Sequence, residues 1–264
     1  MPTRPQTYHR PDNLADAWQA LQTPDTHPLG GGTKLLAGHL PLTVTGVVDL
    51  QRLGLNQIAL ADARLAVGAT VRLTDWSDFL AEQPDNSPAP LLRSGIQRSG
   101  PNTYRNAATV GGTIAGRLSD SELLAALLVL DVQLELYQQD QAVPLADYLI
   151  SAQSPHLITR ILIPWQAGQG ASERVARTPA DYPIVSITGW QGQDGLTRLA
   201  ATGLAERPFR LPDIEGPLTT ETIAAAAENA HNSAVHPGDF RGDTAYRSDM
   251  AAVLTRRVLQ QMTG

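Results

Sequence analysis

Two glycine-rich segments carry the residue types best suited to binding an anion through the backbone. The first spans residues 30–34 (Gly-Gly-Gly-Thr-Lys), and the second spans residues 105–116 and contains the adjacent pair Gly111-Gly112. Glycine lacks a Cβ, so a chain can turn sharply there and consecutive backbone N–H groups can point at one anion. Two such segments in one small domain suggest two backbone cradles that close on a single phosphorylated ligand.

The residues alone leave other interpretations of these segments open. The three glycines at 30–32 are more often a flexible turn, and Gly111-Gly112 can equally be a tight turn. Neither segment fits the Rossmann fingerprint, since no Gly-x-Gly-x-x-Gly stands between a strand and a helix. A Walker A loop is also excluded, because Lys34 lies two residues past the last glycine and no Gly-Lys-Ser/Thr sequence occurs.

Both segments resemble the flavin-binding loops in the FAD subunit of the molybdenum hydroxylase family. That family includes the medium subunit of aerobic carbon monoxide dehydrogenase and the FAD domain of xanthine dehydrogenase. Its first loop is roughly Ala-Gly-Gly-Thr-Asp-Leu-Leu, where residues 30–36 are Gly-Gly-Gly-Thr-Lys-Leu-Leu. Its second loop is roughly Arg-Asn-x-Ala-Thr-Ile-Gly-Gly-Asn, where residues 105–113 are Arg-Asn-Ala-Ala-Thr-Val-Gly-Gly-Thr. The resemblance extends from about Tyr8 to the C-terminus.

The resemblance implies FAD as the cofactor, with its phosphates held by backbone N–H groups. The hydroxyls of Thr33 and Thr109 would reach phosphate or ribityl oxygens, or would cap ordinary turns. Asp120 matches an acid that contacts the flavin nucleotide, and it also suits the first turn of a helix. Arg174 stands where the family often has a Lys that reaches the flavin, and a solvated strand charge is the alternative. The implied cofactor-binding residues are Gly30, Gly31, Gly32, Thr33, Lys34, Leu35, Thr109, Val110, Gly111, Gly112, Thr113, Asp120 and Arg174.

Two of these residues depart from the family pattern. Lys34 replaces the usual Asp or Ser, and Thr113 replaces the usual Asn, whose amide can donate and accept at once. Replacing Gly111 or Gly112 by Val is predicted to abolish flavin binding and to leave the fold largely intact, because a β-branched side chain blocks the approach of phosphate.

The composition excludes several other kinds of chemistry. The 264 residues carry a net charge of −6 without a run of Lys or Arg, so nucleic acid is not an expected partner. The absence of cysteine excludes disulfides, a thiolate nucleophile and Cys-ligated metal sites. No signal peptide and no apolar stretch near the ~20 residues of a membrane span are found, so a cytoplasmic chain is expected. The histidines lack metal-ligand spacing; they are His9, His27, His39, His156, His231 and His236.

Hydrophobic periodicity predicts the elements that position the two segments. Asn13 begins a helix with a buried face, and a short strand at residues 27–29 leads into the first segment. Thr74 is predicted to cap a short helix that runs through Leu80. Ser119 and Glu122 have the spacing of a capping box, which predicts a buried helix from residue 119 to residue 130.

The predicted fold class is α+β, with two domains. The resemblance implies that residues 1–165 form a two-subdomain FAD-binding fold of the vanillyl-alcohol-oxidase/PCMH type, with subdomains at about residues 1–60 and 61–165. Residues 166–264 would form a small α+β C-terminal domain of the molybdenum hydroxylase flavoprotein type. The boundary is placed in residues 165–170, which are rich in glycine and polar side chains.

The function that the resemblance implies is electron transfer within an oxidoreductase of several subunits. Substrate would be oxidised on a molybdenum-cofactor large subunit, and electrons would pass through a [2Fe–2S] small subunit to FAD and then to an acceptor. One alternative is a non-catalytic binding or assembly subunit with weak or no FAD binding, which the changes at Lys34 and Thr113 favour. Another is a self-sufficient flavin oxidase, although no His or Cys flanks either loop to attach a flavin covalently. The organic substrate and the acceptor (NAD, a quinone or oxygen) are left open.

Overall fold

The computed structural model describes residues 5–37, 43–151 and 156–263, which form two compact units. The first unit comprises residues 1–76, 101–116 and 133–163, and the second comprises residues 77–100, 117–132 and 164–264. Each unit is therefore built from three segments of the chain. The predicted division at residue 165, with its subdomain limits, stays a prediction. His39 lies outside the described residues.

Helices and strands are mixed along the chain, as the α+β class predicted. The strands are β1 (Thr7–His9), β2 (Thr26–Leu29), β3 (Gly46–Asp49), β4 (Ile58–Ala61), β5 (Arg64–Gly68), β6 (Gln133–Leu136), β7 (Val143–Pro144), β8 (Ile158–Pro164), β9 (Gly168–Val175), β10 (Val185–Gly192), β11 (Leu196–Thr202), β12 (Phe209–Arg210) and β13 (Ile214–Glu215). The helices are α1 (Leu14–Leu21), α2 (Leu73–Ala81), α3 (Ala89–Gln97), α4 (Asn102–Arg105), α5 (Val110–Gly116), α6 (Glu122–Val129), α7 (Leu145–Ile150), α8 (Thr220–Asn232) and α9 (Thr244–Gln261). Within the described ranges, no helix has the length and apolar character needed to cross a membrane.

A three-stranded parallel sheet in the first unit, ordered β1-β3-β2, leads into the first glycine segment. The side chain of Asn13 accepts a hydrogen bond from the Asp16 N–H at 2.9 Å, which confirms the predicted start of α1. This helix buries Ala17 and Leu21 against Val48 of β3. Strand β2 therefore ends beside a fixed apolar core, and the glycine segment follows it directly.

A buried carboxylate, Asp49, closes the carboxyl end of this sheet. Asp49 pairs with Leu29, the last residue of β2, in the parallel register. It accepts hydrogen bonds from the Tyr8 hydroxyl and from the Gln51 N–H, and it forms an ion pair with Arg10 at 3.3 Å. These contacts hold in place the strand end from which the first glycine segment departs.

The second glycine segment is bonded to the residues that directly follow β5, a strand of the five-stranded sheet ordered β4-β5-β8-β6-β7. The N–H of Val110 donates to the Val71 carbonyl at 2.9 Å, and the N–H of Gly111 donates to the Ala69 carbonyl at 2.8 Å. The segment is not simply a loop, because α5 begins at Val110. Ile114 is fully buried and anchors this short helix.

The second unit contains a five-stranded antiparallel sheet, ordered β12-β11-β10-β9 with β13 beside β11, and the buried helix α6. The predicted capping box is wrong. Ser121, not Ser119, caps α6 and accepts a hydrogen bond from the Leu124 N–H at 3.3 Å. Glu122 is instead buried in an ion-pair cluster. The predicted Thr74 cap is also wrong, because α2 begins one residue earlier and the Thr74 hydroxyl donates to the Asn106 side chain at 2.6 Å.

A single buried arginine joins α9 to the sheet of the second unit. The side chain of Arg247 is 1 % exposed. Its Nη1 donates to the Ile184 carbonyl at 2.6 Å and to the Gly203 carbonyl at 2.8 Å. Its Nε donates to the Gly242 carbonyl at 3.1 Å, and its Nη2 donates to the Asp239 carboxylate at 2.7 Å. One guanidinium therefore fixes the ends of two strands and the loop before α9.

We expect Arg247→Met to lower the free energy of unfolding by about 3 kcal/mol, because it leaves buried carbonyls and a carboxylate without their donor. The measurement is urea unfolding followed by circular dichroism. Arg256→Met, on the exposed side of the same helix, is the matched control and should change stability little. Equal losses in the two variants would contradict the structural role of Arg247.

The carboxylate of Asp239 makes stability depend on acid pH. Burial raises the pKa of Asp239, but the Arg241 N–H and the guanidinium groups of Arg241 and Arg247 outweigh this effect and lower the pKa to about 2. A lowered folded-state pKa gives stability that is present above the unfolded-state pKa of ~3.9 and is lost as the pH falls toward the folded value. We expect Asp239→Asn to be less stable than the parent at neutral pH, and to lose less stability than the parent between about pH 4 and pH 2. Parallel pH profiles of the two proteins in urea unfolding would contradict this.

Candidate functional site

The two glycine segments lie against each other within the first unit. A Cβ added to Gly31 would stand 1.7 Å from the Ala107 carbonyl oxygen, and one added to Gly30 would stand 2.6 Å from the Thr109 hydroxyl. No side chain fits at Gly31, because the Ala107 carbonyl that it would meet belongs to the backbone and cannot move aside. These two glycines are therefore needed for the packing of one segment on the other.

The first segment presents a row of unused backbone donors. Gly32 has a left-handed φ of +69°, and the Leu36 N–H donates to its carbonyl at 3.0 Å, which closes a turn over Thr33, Lys34 and the half-buried Leu35. Across the described part of the chain, the N–H groups of Gly31, Gly32 and Thr33 have no acceptor. Successive free N–H groups in such a turn form a concave anion-binding site.

The second segment uses its donors within the protein. The N–H groups of Val110 and Gly111 bond to the Val71 and Ala69 carbonyls. The Gly112 N–H donates to the Thr109 hydroxyl at 3.2 Å. The N–H and the hydroxyl of Thr113 both donate to the Thr109 carbonyl, at 2.9 and 3.0 Å. The expectation that the adjacent glycines aim free N–H groups at an anion is therefore wrong for this segment. Thr109, which is buried, acts as its internal acceptor.

Gly111 and Gly112 differ in what surrounds them. A Cβ on the buried Gly111 would lie 2.8 Å from the Ala69 Cβ and 2.9 Å from the Ala69 carbonyl oxygen. Gly112 is exposed, and a Cβ there would meet only the Thr109 hydroxyl, at 3.0 Å. Of the pair, Gly112 is the one whose missing side chain leaves room for a ligand.

The local charge suits an anion. Residues 29–37 and 101–116 include no Asp or Glu, although the chain has 26 acidic residues. The first stretch carries Lys34 and the second carries Arg105. The Lys34 ammonium lies 5.1 Å from the ring centroid of Tyr104, a residue of α4. The glycine segments are thus a positively charged part of an acidic protein.

Asp120 and Arg174, the other predicted contacts, belong to the second unit. The Asp120 carboxylate pairs with Arg241 at 3.4 Å. Arg174 Nη1 pairs with Glu122 at 3.0 Å, and its Nη2 donates to the Asp181 carbonyl. Arg174 is thus a half-buried ion-pair partner and not a solvated strand charge. Whether either residue contacts a cofactor stays a prediction.

Sequence reasoning missed the cluster around Glu122 and the Tyr104 contact. Glu122 is buried between Arg98, at 2.8 Å, and Arg174. A glutamate in the first turn of a helix looks the same in sequence whether it caps the helix or binds buried cations, so no local signal distinguishes the two. Tyr104 directly precedes Arg105-Asn106 of the second segment, but no local signal connects it to Lys34.

Comparison with known proteins defines the class. Residues 3–166 match the model of the FAD binding domain in molybdopterin dehydrogenase, and residues 189–262 match the CO dehydrogenase flavoprotein C-terminal domain. The chain belongs to this family of FAD-binding subunits, which is an oxidoreductase family. The resemblance and the predicted fold are confirmed, and FAD is the cofactor of the domain.

Individual relatives align over almost the whole chain. The glyceraldehyde dehydrogenase medium chain of Sulfolobus acidocaldarius is 26 % identical and covers 97 % of this chain and 98 % of its own. The carbon monoxide dehydrogenase medium chain of Afipia carboxidovorans is 28 % identical, and the alignment covers 96 % of this chain and 95 % of that relative. Reconstituted CO dehydrogenase from Oligotropha carboxidovorans has a TM-score of 0.87 at 24 % identity, covers 100 % and 99 % of the two chains, and supports the fold.

The residues present fit FAD. Its pyrophosphate needs donors and no nearby carboxylate, and the N–H groups of Gly31, Gly32 and Thr33 supply the donors in a segment without acidic residues. Gly112 is exposed and Thr113 is partly exposed, so this end of the second segment leaves room for a ligand.

Substitution of the glycines separates folding from binding. We expect Gly31→Ala and Gly111→Val to destabilise the apoprotein, since both new side chains collide with backbone. This corrects the expectation that Val at position 111 leaves the fold intact. Gly112→Val should keep the thermal midpoint of the apoprotein within a few degrees, because within the protein its Cβ meets only the Thr109 hydroxyl, at 3.0 Å. It should weaken FAD binding at least about tenfold, because the new side chain occupies the exposed surface left for a ligand. A Gly112→Val protein that binds FAD like the parent would contradict this assignment.

Proposed function

We propose that this chain is the electron-transfer subunit of a multi-subunit molybdenum hydroxylase, in which it binds FAD. The observation that carries the proposal is a row of N–H groups, at Gly31, Gly32 and Thr33, that have no acceptor among the residues that the structure describes. They lie in a positively charged segment of a chain that belongs to an FAD-binding family. FAD, when bound, can exchange electrons singly with metal clusters and in pairs with small acceptors. The role of the polypeptide is to bind and orient the cofactor.

The proposed partners are a molybdenum-cofactor large subunit and a [2Fe–2S] small subunit. Two relatives are named as medium chains, and a third, from Paenarthrobacter nicotinovorans, as subunit alpha of a dehydrogenase complex. This chain has no cysteine, so thiolate-bound iron–sulfur clusters would have to reside on another polypeptide. The predicted cytoplasmic location forms part of the same proposal.

The alternative is an assembly subunit that keeps the fold and binds FAD weakly or not at all. The internal use of the Val110, Gly111, Gly112 and Thr113 N–H groups favours it, because one of the two expected cradles offers no free donors there. The replacement of the usual Asn by Thr113 also favours it, because a hydroxyl offers fewer donors than an amide.

Titration of the purified apoprotein with FAD distinguishes the two functions. We expect one FAD per chain with a dissociation constant of about 1 µM or lower, as a specific cofactor site with several hydrogen bonds provides. The bound flavin should then be reduced when the partner chains and their substrate are added. A chain that takes up no FAD, yet still copurifies with a molybdenum-containing chain from its native host, would establish the assembly role instead.

A further inference from the structure

We propose that Lys34 is a cofactor-binding residue whose ammonium group holds the pyrophosphate of FAD, and that Tyr104 positions this ammonium. The inference deepens the proposed function and rests on it. It assigns to the first glycine segment a side-chain cation in addition to the backbone donors.

Lys34 stands out in the composition of the chain. Of the 20 Lys and Arg residues, Lys34 is the single lysine. It directly follows Thr33, the last of the three residues whose N–H groups are unused. A lysine ammonium is a compact charge with three donors on a flexible stem, and it binds phosphate as a point charge, whereas the planar arginine fork suits bidentate partners.

Tyr104 ties this cation to the second segment. The Lys34 Nζ lies 5.1 Å from the Tyr104 ring centroid, within the ~6 Å range of a cation–π contact. Tyr104 belongs to α4, and its carbonyl accepts the N–H groups of Ala107 and Ala108 at the start of the second segment. The contact therefore links the ammonium to the residue that directly precedes the second segment.

The charge of the neighbourhood makes this cation effective. The stretches 29–37 and 101–116 hold no carboxylate that could compete with a phosphate for Lys34. We infer that FAD binding here depends on ionic strength, because salt screens a partly exposed ion pair.

Titrations of FAD into Lys34→Gln, Lys34→Arg and the parent test the role of the charge. Lys34→Gln should weaken binding about tenfold at low salt and leave the thermal midpoint of the apoprotein unchanged. Parent and variant should converge as salt is raised, because the parent loses the attraction that the variant lacks. Lys34→Arg should recover most of the affinity. Arg256→Gln, an exposed charge of the second unit, is the matched control and should bind like the parent.

The role of Tyr104 is tested by a matched pair of variants. Tyr104→Phe keeps the ring and should bind FAD like the parent, whereas Tyr104→Leu removes the π face and should weaken binding about two- to fivefold. Combining Lys34→Gln with Tyr104→Leu should add little to Lys34→Gln alone, since Tyr104 acts through the ammonium.

The single lysine also allows a direct observation. Reductive methylation with ¹³C-formaldehyde keeps the positive charge and labels only Lys34 and the terminal amine. We expect FAD, and inorganic pyrophosphate alone, to shift the Lys34 methyl resonance and to leave the terminal resonance in place. If FAD binds the parent and Lys34→Gln equally at every salt concentration, the proposal is overturned while FAD binding itself stands. If the parent takes up no FAD and pyrophosphate leaves the Lys34 resonance in place, both fail.

Discussion

The contact between Gly31 and the Ala107 carbonyl is the constraint on which the site depends. A Cβ added to Gly31 would stand 1.7 Å from that oxygen, which leaves no space even for a methyl group. The first segment can therefore lie on the second only with glycine at position 31. The packing leaves the N–H groups of Gly31, Gly32 and Thr33 without a protein acceptor in the described part of the chain, while the second segment satisfies its donors internally. The two segments therefore differ in their backbone donors, and we propose that the first binds the anion while the second supports it.

Much of the fold follows from local patterns in the sequence. Asn13 caps α1 as predicted, because a helix cap depends on nearby residues only. The sequence predicts a helix start wrongly where tertiary contacts determine the first residue of the helix. Ser119 and Ser121 are equally suitable caps in sequence, but burial of Glu122 between Arg98 and Arg174 sets the start of α6 at residue 122.

The sequence indicates where the candidate site lies, but it does not indicate which backbone and side-chain groups face a ligand. Glycine pairs signal close approach, but the sequence does not say whether a ligand or another part of the chain approaches. Gly31 and Gly111 turn out to meet backbone, and Gly112 faces open surface. The Lys34–Tyr104 contact joins residues 70 positions apart, and no local pattern predicts such a pair.

Amide hydrogen exchange, resolved by residue with and without FAD, tests the central claim most directly. If the first segment binds the pyrophosphate, FAD should slow exchange strongly at Gly31, Gly32 and Thr33. Exchange at Val110 and Gly111, whose N–H groups already bond to the Val71 and Ala69 carbonyls, should be slow in both states. Slowing confined to Gly112 and Thr113, with residues 31–33 unaffected, would contradict the account and assign the anion to the second segment.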